Sequence, residues 1–336
     1  MTRALQLLAA ALFLLLVVLG LRRRRRRAPL RLASGPAEGV LTDDGIRLHV
    51  EEDGDPDAPV TVVFSHGFTA QLGEFDLQRE TLRSRARLVL YDQRGHGRSP
   101  LGDPLNATIE QLGRDLAAVI AQRVPTGPVL LVGHSMGGMT LMTFARQHPE
   151  VVRSRVIGAF LLATSAEEVV STGPVGLTVR LLTRLGLLPL WLRSLRLSAP
   201  LMDRTRMRGT LAARLFFERY LFGCDDATPE HVRQVQDLLE ATPYTTTTAF
   251  YPSFVTHDER DSLPVLAPLP VTVLVGECDR LTPTANSVRM AEALGPSARL
   301  VVVPGAGHTV NLTRREVVDR ELVDLLERAR RSSAVA

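Results

Sequence analysis

The stretch that decides the fold is Val129–Thr140, VLLVGHSMGGMT. Four apolar residues run into Gly133-His134-Ser135-Met136-Gly137, and a helical stretch follows. A strand that passes into a helix around Gly-x-Ser-x-Gly makes a very tight turn, and side chains at Gly133 and Gly137 would clash there. The serine is then held in a strained backbone, exposed at the C-terminal edge of a sheet and above a helix N-terminus. That helix end favours the negative charge that develops in acyl transfer. The five-residue pattern alone arises by chance; its place between an apolar strand and a helix gives it weight.

A serine hydroxyl is a poor nucleophile until a base takes its proton, and an acid must hold that base in one tautomer. On a strand–Ser–helix frame the order is Ser, then Asp or Glu, then His. Downstream, VTVLVGECDRLTP puts Asp279 just past a strand, and LVVVPGAGHTVNL puts His308 just past the next. Asp258 and Glu168 also lie in loops and compete for the acid's role. The oxyanion needs two backbone N–H donors. Met136, after the serine, is one candidate; Phe68 in FSHGFTA is the other, with Gly67 letting the chain pass close beneath a carbonyl.

The remaining histidines read as supports. His66 steadies the oxyanion loop through hydrogen bonds, and His134 packs beneath the nucleophile. His96 in DQRGHGRS precedes the serine and belongs to a tight loop, fixed by Asp92 and Arg94. His257 has no evident partner in the sequence.

Outward from the elbow, strands alternate with helices. GIRLHVEE reads as a strand entered through the turn Asp43-Asp44-Gly45. VTVVFSHG, ARLVLYD, PVLLVG, VIGAFLLAT, PVTVLVG and ARLVVVPG read as further strands, with GEFDLQRETLRSRA, TIEQLGRDLAAVIAQR and RREVVDRELVDLLERARR among the helices. This alternation predicts βαβ units and a parallel sheet. Between residues 165 and 268 the rhythm lapses into Leu- and Arg-rich helical segments with Pro breaks, read as an insertion covering a pocket. Acids are nearly missing from its first half, so its leucines roof the pocket and its arginines meet water or anionic headgroups.

SHGF, YDQRGHGRS, GHSMGG, GECDRLTP and GAGHTVN, in this order, resemble the α/β-hydrolase superfamily, above all its esterase, lipase and monoacylglycerol-lipase-like members. The resemblance covers residues 40–330 and weakens within the insertion. It implies a mostly parallel eight-stranded sheet flanked by helices, with a helical lid between strands six and seven. It also implies hydrolysis through an acyl-enzyme with no metal and no cofactor. An epoxide hydrolase or haloalkane dehalogenase on this frame would carry Asp where this chain has Ser135. A thioesterase, C–C bond hydrolase, cofactor-free haloperoxidase or elimination-type lyase shares the serine, and a non-catalytic ligand receptor could retain it.

The 336 residues are 45% hydrophobic and 23% charged, which excludes wholesale disorder and allows a large core. All 40 basic residues are Arg, in keeping with a GC-rich coding preference and suited to phosphate headgroups. No nucleic-acid partner is expected. Cys224 and Cys278 stand in no metal-like spacing and offer no disulfide framework, which favours a reducing compartment; Cys278 reads as a small buried hydrophobe.

The N-terminal ALFLLLVVLGLRRRRRRAPL, Ala11–Leu30, reverses the charge order of an export signal: only Arg3 precedes the apolar run, and Arg22–Arg27 follow it. Residues 1–21 read as an uncleaved transmembrane anchor, with a cleaved export signal and secretion as the alternative, and 22–39 as an Arg-rich linker. The catalytic domain, 40–330 with its lid at 165–268, is expected on the cytoplasmic side, and 331–336 form a tail.

Overall fold

The computed structural model describes residues 39–170, 176–205, 220–222, 224 and 227–333. The expected anchor and nearly all of the Arg-rich linker lie outside the described residues. Among the described residues no helix is long and apolar enough to cross a membrane.

Among the described residues nine strands occur, in chain order: β1 Val40–Leu41, β2 Arg47–Leu48, β3 Val50–Gly54, β4 Thr61–Ser65, β5 Arg87–Tyr91, β6 Val129–His134, β7 Val156–Leu162, β8 Val271–Gly276 and β9 Ala298–Val303. Seven form one sheet in the order β3-β5-β4-β6-β7-β8-β9, parallel throughout except for β3. The expected eight-stranded sheet therefore has seven strands. GIRLHVEE does not run as one strand. At His49 the backbone N–H donates to Ser99 Oγ (2.8 Å) and the carbonyl accepts Asp92 N–H (3.0 Å). The segment breaks there. Arg47–Leu48 folds back on Val40–Leu41 as a separate two-stranded ladder, and Val50 onward joins β5.

Alternation along the central strands fills two cores, as it must where both faces of a sheet are covered. Val63, Val89 and Leu131 face one side, against the helices α2 (Ile109–Arg123) and α3 (Met136–Gln147). Val62, Phe64, Leu88, Leu90, Leu130 and Val132 face the other, against α1 (Asp76–Leu82) and the C-terminal α12 (Arg315–Ser333). Each such fully buried side chain contributes about 1.5–3 kcal/mol from water exclusion.

The insertion, expected between strands six and seven, instead leaves after β7 and returns before β8, the fifth and sixth strands of the main sheet in chain order. Its described helices are α5 (Gly176–Arg184), α6 (Leu188–Thr205), α7 (Pro229–Ala241) and α8 (Tyr244–Val255). The numbers between are α4 (Pro149–Arg155) and, past the insertion, α9 (Leu263–Leu266), α10 (Thr284–Leu294) and α11 (Val310–Thr313). The two stems of the insertion are zipped together where Glu259 N–H donates to the Ala166 carbonyl (2.8 Å). The Glu259 carboxylate then accepts Thr143 Oγ1–H (2.6 Å) and Arg146 Nε–H (2.9 Å) from α3, tying the cap to the helix behind Ser135. Asp203, at the end of α6, accepts the Tyr244 (2.6 Å) and Thr245 (3.1 Å) N–H groups and so caps α8.

Candidate active site

A mostly parallel sheet gathers its strand-to-helix loops at one edge, and the predicted site residues lie on four of them. Ser135 follows β6, and His66 to Phe68 follow the neighbouring β4. Asp279 follows β8, and His308 follows β9 beside it. Ser135 has φ 52° and ψ −117°, a strained conformation for a residue with a Cβ. The two elbow glycines make that turn possible. A Cβ on Gly137 would sit 1.8 Å from the Ser65 carbonyl oxygen, and one on Gly133 would sit 2.6 Å from Gly137 itself.

Ser135 Oγ–H donates to His308 Nε2 (2.9 Å), and His308 Nδ1–H donates to Asp279 Oδ2 (2.8 Å). Both Asp279 and His308 are buried, whereas Ser135 is partly open to the cavity. Asp279 is further held by the Leu281 and Thr282 N–H groups (2.9 Å each) and by Thr282 Oγ1–H (2.7 Å). Four donors therefore converge on this carboxylate, which fixes the tautomer of His308 and aims its free nitrogen at Ser135. Sequence reading missed Thr282; an Asp followed by Thr three positions on, in a loop, was the available signal. The rival acid Asp258 is exposed and paired with Arg260 (2.6 Å).

Met136 is the first residue of α3, so its N–H has no partner within the helix and points with the helix dipole. Phe68 lines the same cavity as Ser135. His66 holds the loop beneath it: Nδ1–H donates to the Gly67 carbonyl (2.7 Å), and Nε2 accepts Gln93 N–H (2.9 Å). Burial pushes this imidazole below its ordinary pKa, in keeping with a neutral ring that accepts at Nε2. His96 is likewise structural. Its Nδ1–H donates to the Arg94 carbonyl (2.9 Å), and burial lowers its pKa to about 3. Asp92 accepts the Leu72 and Arg98 N–H groups (2.8 Å each), and Arg94 grips Asp115 and Asp44. His257, unassigned in the sequence, donates to the Ser165 carbonyl (2.9 Å) at the cap stem.

Above Ser135 lies a cavity of about 400 Å³, within the size range of small-molecule sites. The cap supplies its walls, with Val169, Val170, Leu221, Leu238, Leu239 and Tyr251 among them. The cysteine expectation is overturned here. Cys224 of the cap and Cys278, next to Asp279, form a disulfide with Cα atoms 5.8 Å apart. Cys278 is half-buried rather than enclosed. The insertion brings together two residues 54 positions apart, a proximity that spacing along the chain does not reveal.

Comparison with known proteins agrees with this architecture. "Probable oxidoreductase EphD" of Mycobacterium tuberculosis is 37% identical over 109 residues, which span 32% of this chain and only 18% of that protein. An sn-1-specific diacylglycerol lipase of Mus musculus is 35% identical over 133 residues, 35% of this chain and 42% of that protein. A thermophilic esterase from Thermogutta terrifontis superposes with a TM-score of 0.66 at 25% identity, covering 91% of this chain and 99% of that one. Residues 62–320 match the Alpha/beta hydrolase family, and with the elbow, sheet and loop geometry above, the chain belongs to that family, on its esterase- and lipase-like side.

Proposed function

We propose that the protein is a serine hydrolase that cleaves carboxylic esters of lipophilic acyl groups through an acyl-enzyme. The observation that carries the reading is the hydrogen-bond chain from Asp279 through His308 to Ser135 at the floor of an apolar cavity. Ser135 Oγ attacks the acyl carbonyl carbon while His308 Nε2 takes its proton. The carbonyl oxygen becomes an oxyanion between the Phe68 and Met136 N–H groups. Collapse breaks the C–O bond, and His308 returns the proton to the departing alcohol. Water then attacks the acyl-enzyme by the same route and releases the acid. The apolar walls and the lipase and esterase likenesses support an acyl chain in the cavity.

A panel of acyl esters of increasing chain length, with a fluorophosphonate probe, tests this. Turnover should rise from acetyl to medium-chain esters, and the probe should label Ser135. The hydrolase reading falls if the serine stays unlabelled and no ester is cleaved. Thioester or C–C substrates turned over in preference to oxygen esters would replace the substrate assignment.

A membrane-bound setting is part of the proposal. The apolar run ending in Arg22–Arg27 supports an anchor. The cap supports contact with an anionic surface: Leu177, Leu181, Leu190, Leu197 and Leu201 are exposed on α5 and α6, which also expose Arg180, Arg184, Arg193 and Arg204. Deleting Met1–Leu21 should move the protein from the membrane pellet to the soluble fraction; unchanged fractionation removes the anchor. The charge order favours a cytoplasmic catalytic domain, whereas the Cys224–Cys278 bond favours an oxidising compartment. Alkylation of these cysteines in intact cells separates the two placements.

A further inference from the structure

Two charged side chains outside the Ser135–His308–Asp279 chain lie against it. Glu74 Oε1 is 2.8 Å from His134 Nδ1, and Glu74 Oε2 accepts the Gly67 N–H (2.8 Å). His134 Nε2 lies 3.0 Å from the backbone oxygen of His308. A carbonyl oxygen and a carboxylate can only accept, so both ring nitrogens donate and the ring is an imidazolium. Burial alone would lower the His134 pKa, but the Glu74 charge and hydrogen bond, the His308 carbonyl and the Asp279 charge together outweigh it and hold the ring above its ordinary value. Burial likewise works to raise Glu74, and His134 with the Gly67 N–H holds it below the usual carboxylate range. The His134 and His308 rings are 5.0 Å apart. A Cβ on Gly67 would come within 2.9 Å of His134 Nδ1, so the pair is seated directly against the loop that carries Phe68.

We infer that Glu74 and His134 are positioning residues: one buried ion pair holds the His308 loop by its carbonyl and the Phe68 loop by the Gly67 N–H. Base and oxyanion donors are thereby kept in register across the loops that follow β4, β6 and β9. The inference rests on the proposed roles of His308 and Phe68. Neither Glu74 nor His134 exchanges a proton with substrate in this arrangement.

Glu74→Ala removes both contacts. Glu74→Gln keeps an acceptor for Gly67 N–H and offers an amide donor to Nδ1 of a neutral His134, which still donates to the His308 carbonyl. The readout is kcat per probe-labelled site with a short ester, so that misfolded protein is not counted. Glu74→Ala should lower it on the order of 10²-fold with KM little changed, and Glu74→Gln should recover most of the loss. An unchanged kcat per labelled site in Glu74→Ala overturns the inference. A second measurement stands apart from turnover: ¹⁵N-histidine NMR of the wild-type protein should show His134 protonated on both nitrogens at neutral pH. A singly protonated ring overturns the ion pair. A wild-type protein that neither labels nor cleaves esters instead defeats the hydrolase reading, and the NMR result still decides the pair.

Discussion

Ser135→Ala is expected to lower kcat on the order of 10⁶-fold while leaving the thermal unfolding midpoint within a few degrees of wild type. The loss is expected to be large because, among the described residues of the cavity, Ser135 is the hydroxyl that His308 Nε2 meets (2.9 Å). The donors at Phe68 and Met136 would still bind and polarise a carbonyl, which leaves a residual rate above that of water. Ser135 and His308 act on one proton, so His308→Ala on the Ser135→Ala background should cost little more. Initial rates over a long incubation, with the fluorophosphonate probe as a control for occupancy, check both statements. A small kcat loss would move the nucleophile elsewhere.

The second large effect concerns stability. Arg94 is fully buried and grips Asp115 through Nε and Nη2 at 2.6 Å each; Asp115 is equally buried. A second pair of bonds reaches Asp44 at 2.7 and 3.1 Å. Arg94→Met would strand the Asp115 carboxylate in the interior, a loss of about 3–5 kcal/mol. For a domain of this size that is a fall in Tm on the order of 10 °C, readable by calorimetry. The double variant Arg94→Met, Asp115→Leu should recover most of it, because the buried carboxylate is then gone and the exposed Asp44 keeps its bonds from Thr42 and Asn106. Activity should fall with the single variant as well. The same loop carries Gln93, which donates to the carbonyl of His66 and so steadies the end of β4 beside Phe68.

The meeting of the three candidate side chains was legible in the chain. Ser135, Asp279 and His308 are separated widely in the chain, yet each follows an apolar strand, and parallel strands deliver their loops to one edge. Strand order and chemistry were therefore enough to bring them together. The seven strands read along the chain each supply one strand of the sheet, and the eighth came only from the resemblance; what was not readable is the break of GIRLHVEE at His49, through a bond to Ser99 fifty residues away. Glu74 was equally hidden. In GEFDLQ it reads as an ordinary acid at the start of a helix, and its partner His134 lies sixty positions downstream. Cys224 and Cys278 escaped for the same reason: the path of the cap, not a motif, joins them.

That bond has a consequence for the unfolded chain. It closes a covalent ring across 54 positions that contains α7, α8, α9 and β8. In the chain-entropy account, a ring of this length removes about 4 kcal/mol of conformational freedom from the denatured ensemble. The loop bearing Asp279 is thus favoured partly by what the denatured chain is forbidden to do, and not only by the four donors that meet the carboxylate. The stretch of cap before Cys224 lies outside the ring and keeps its full share of that freedom.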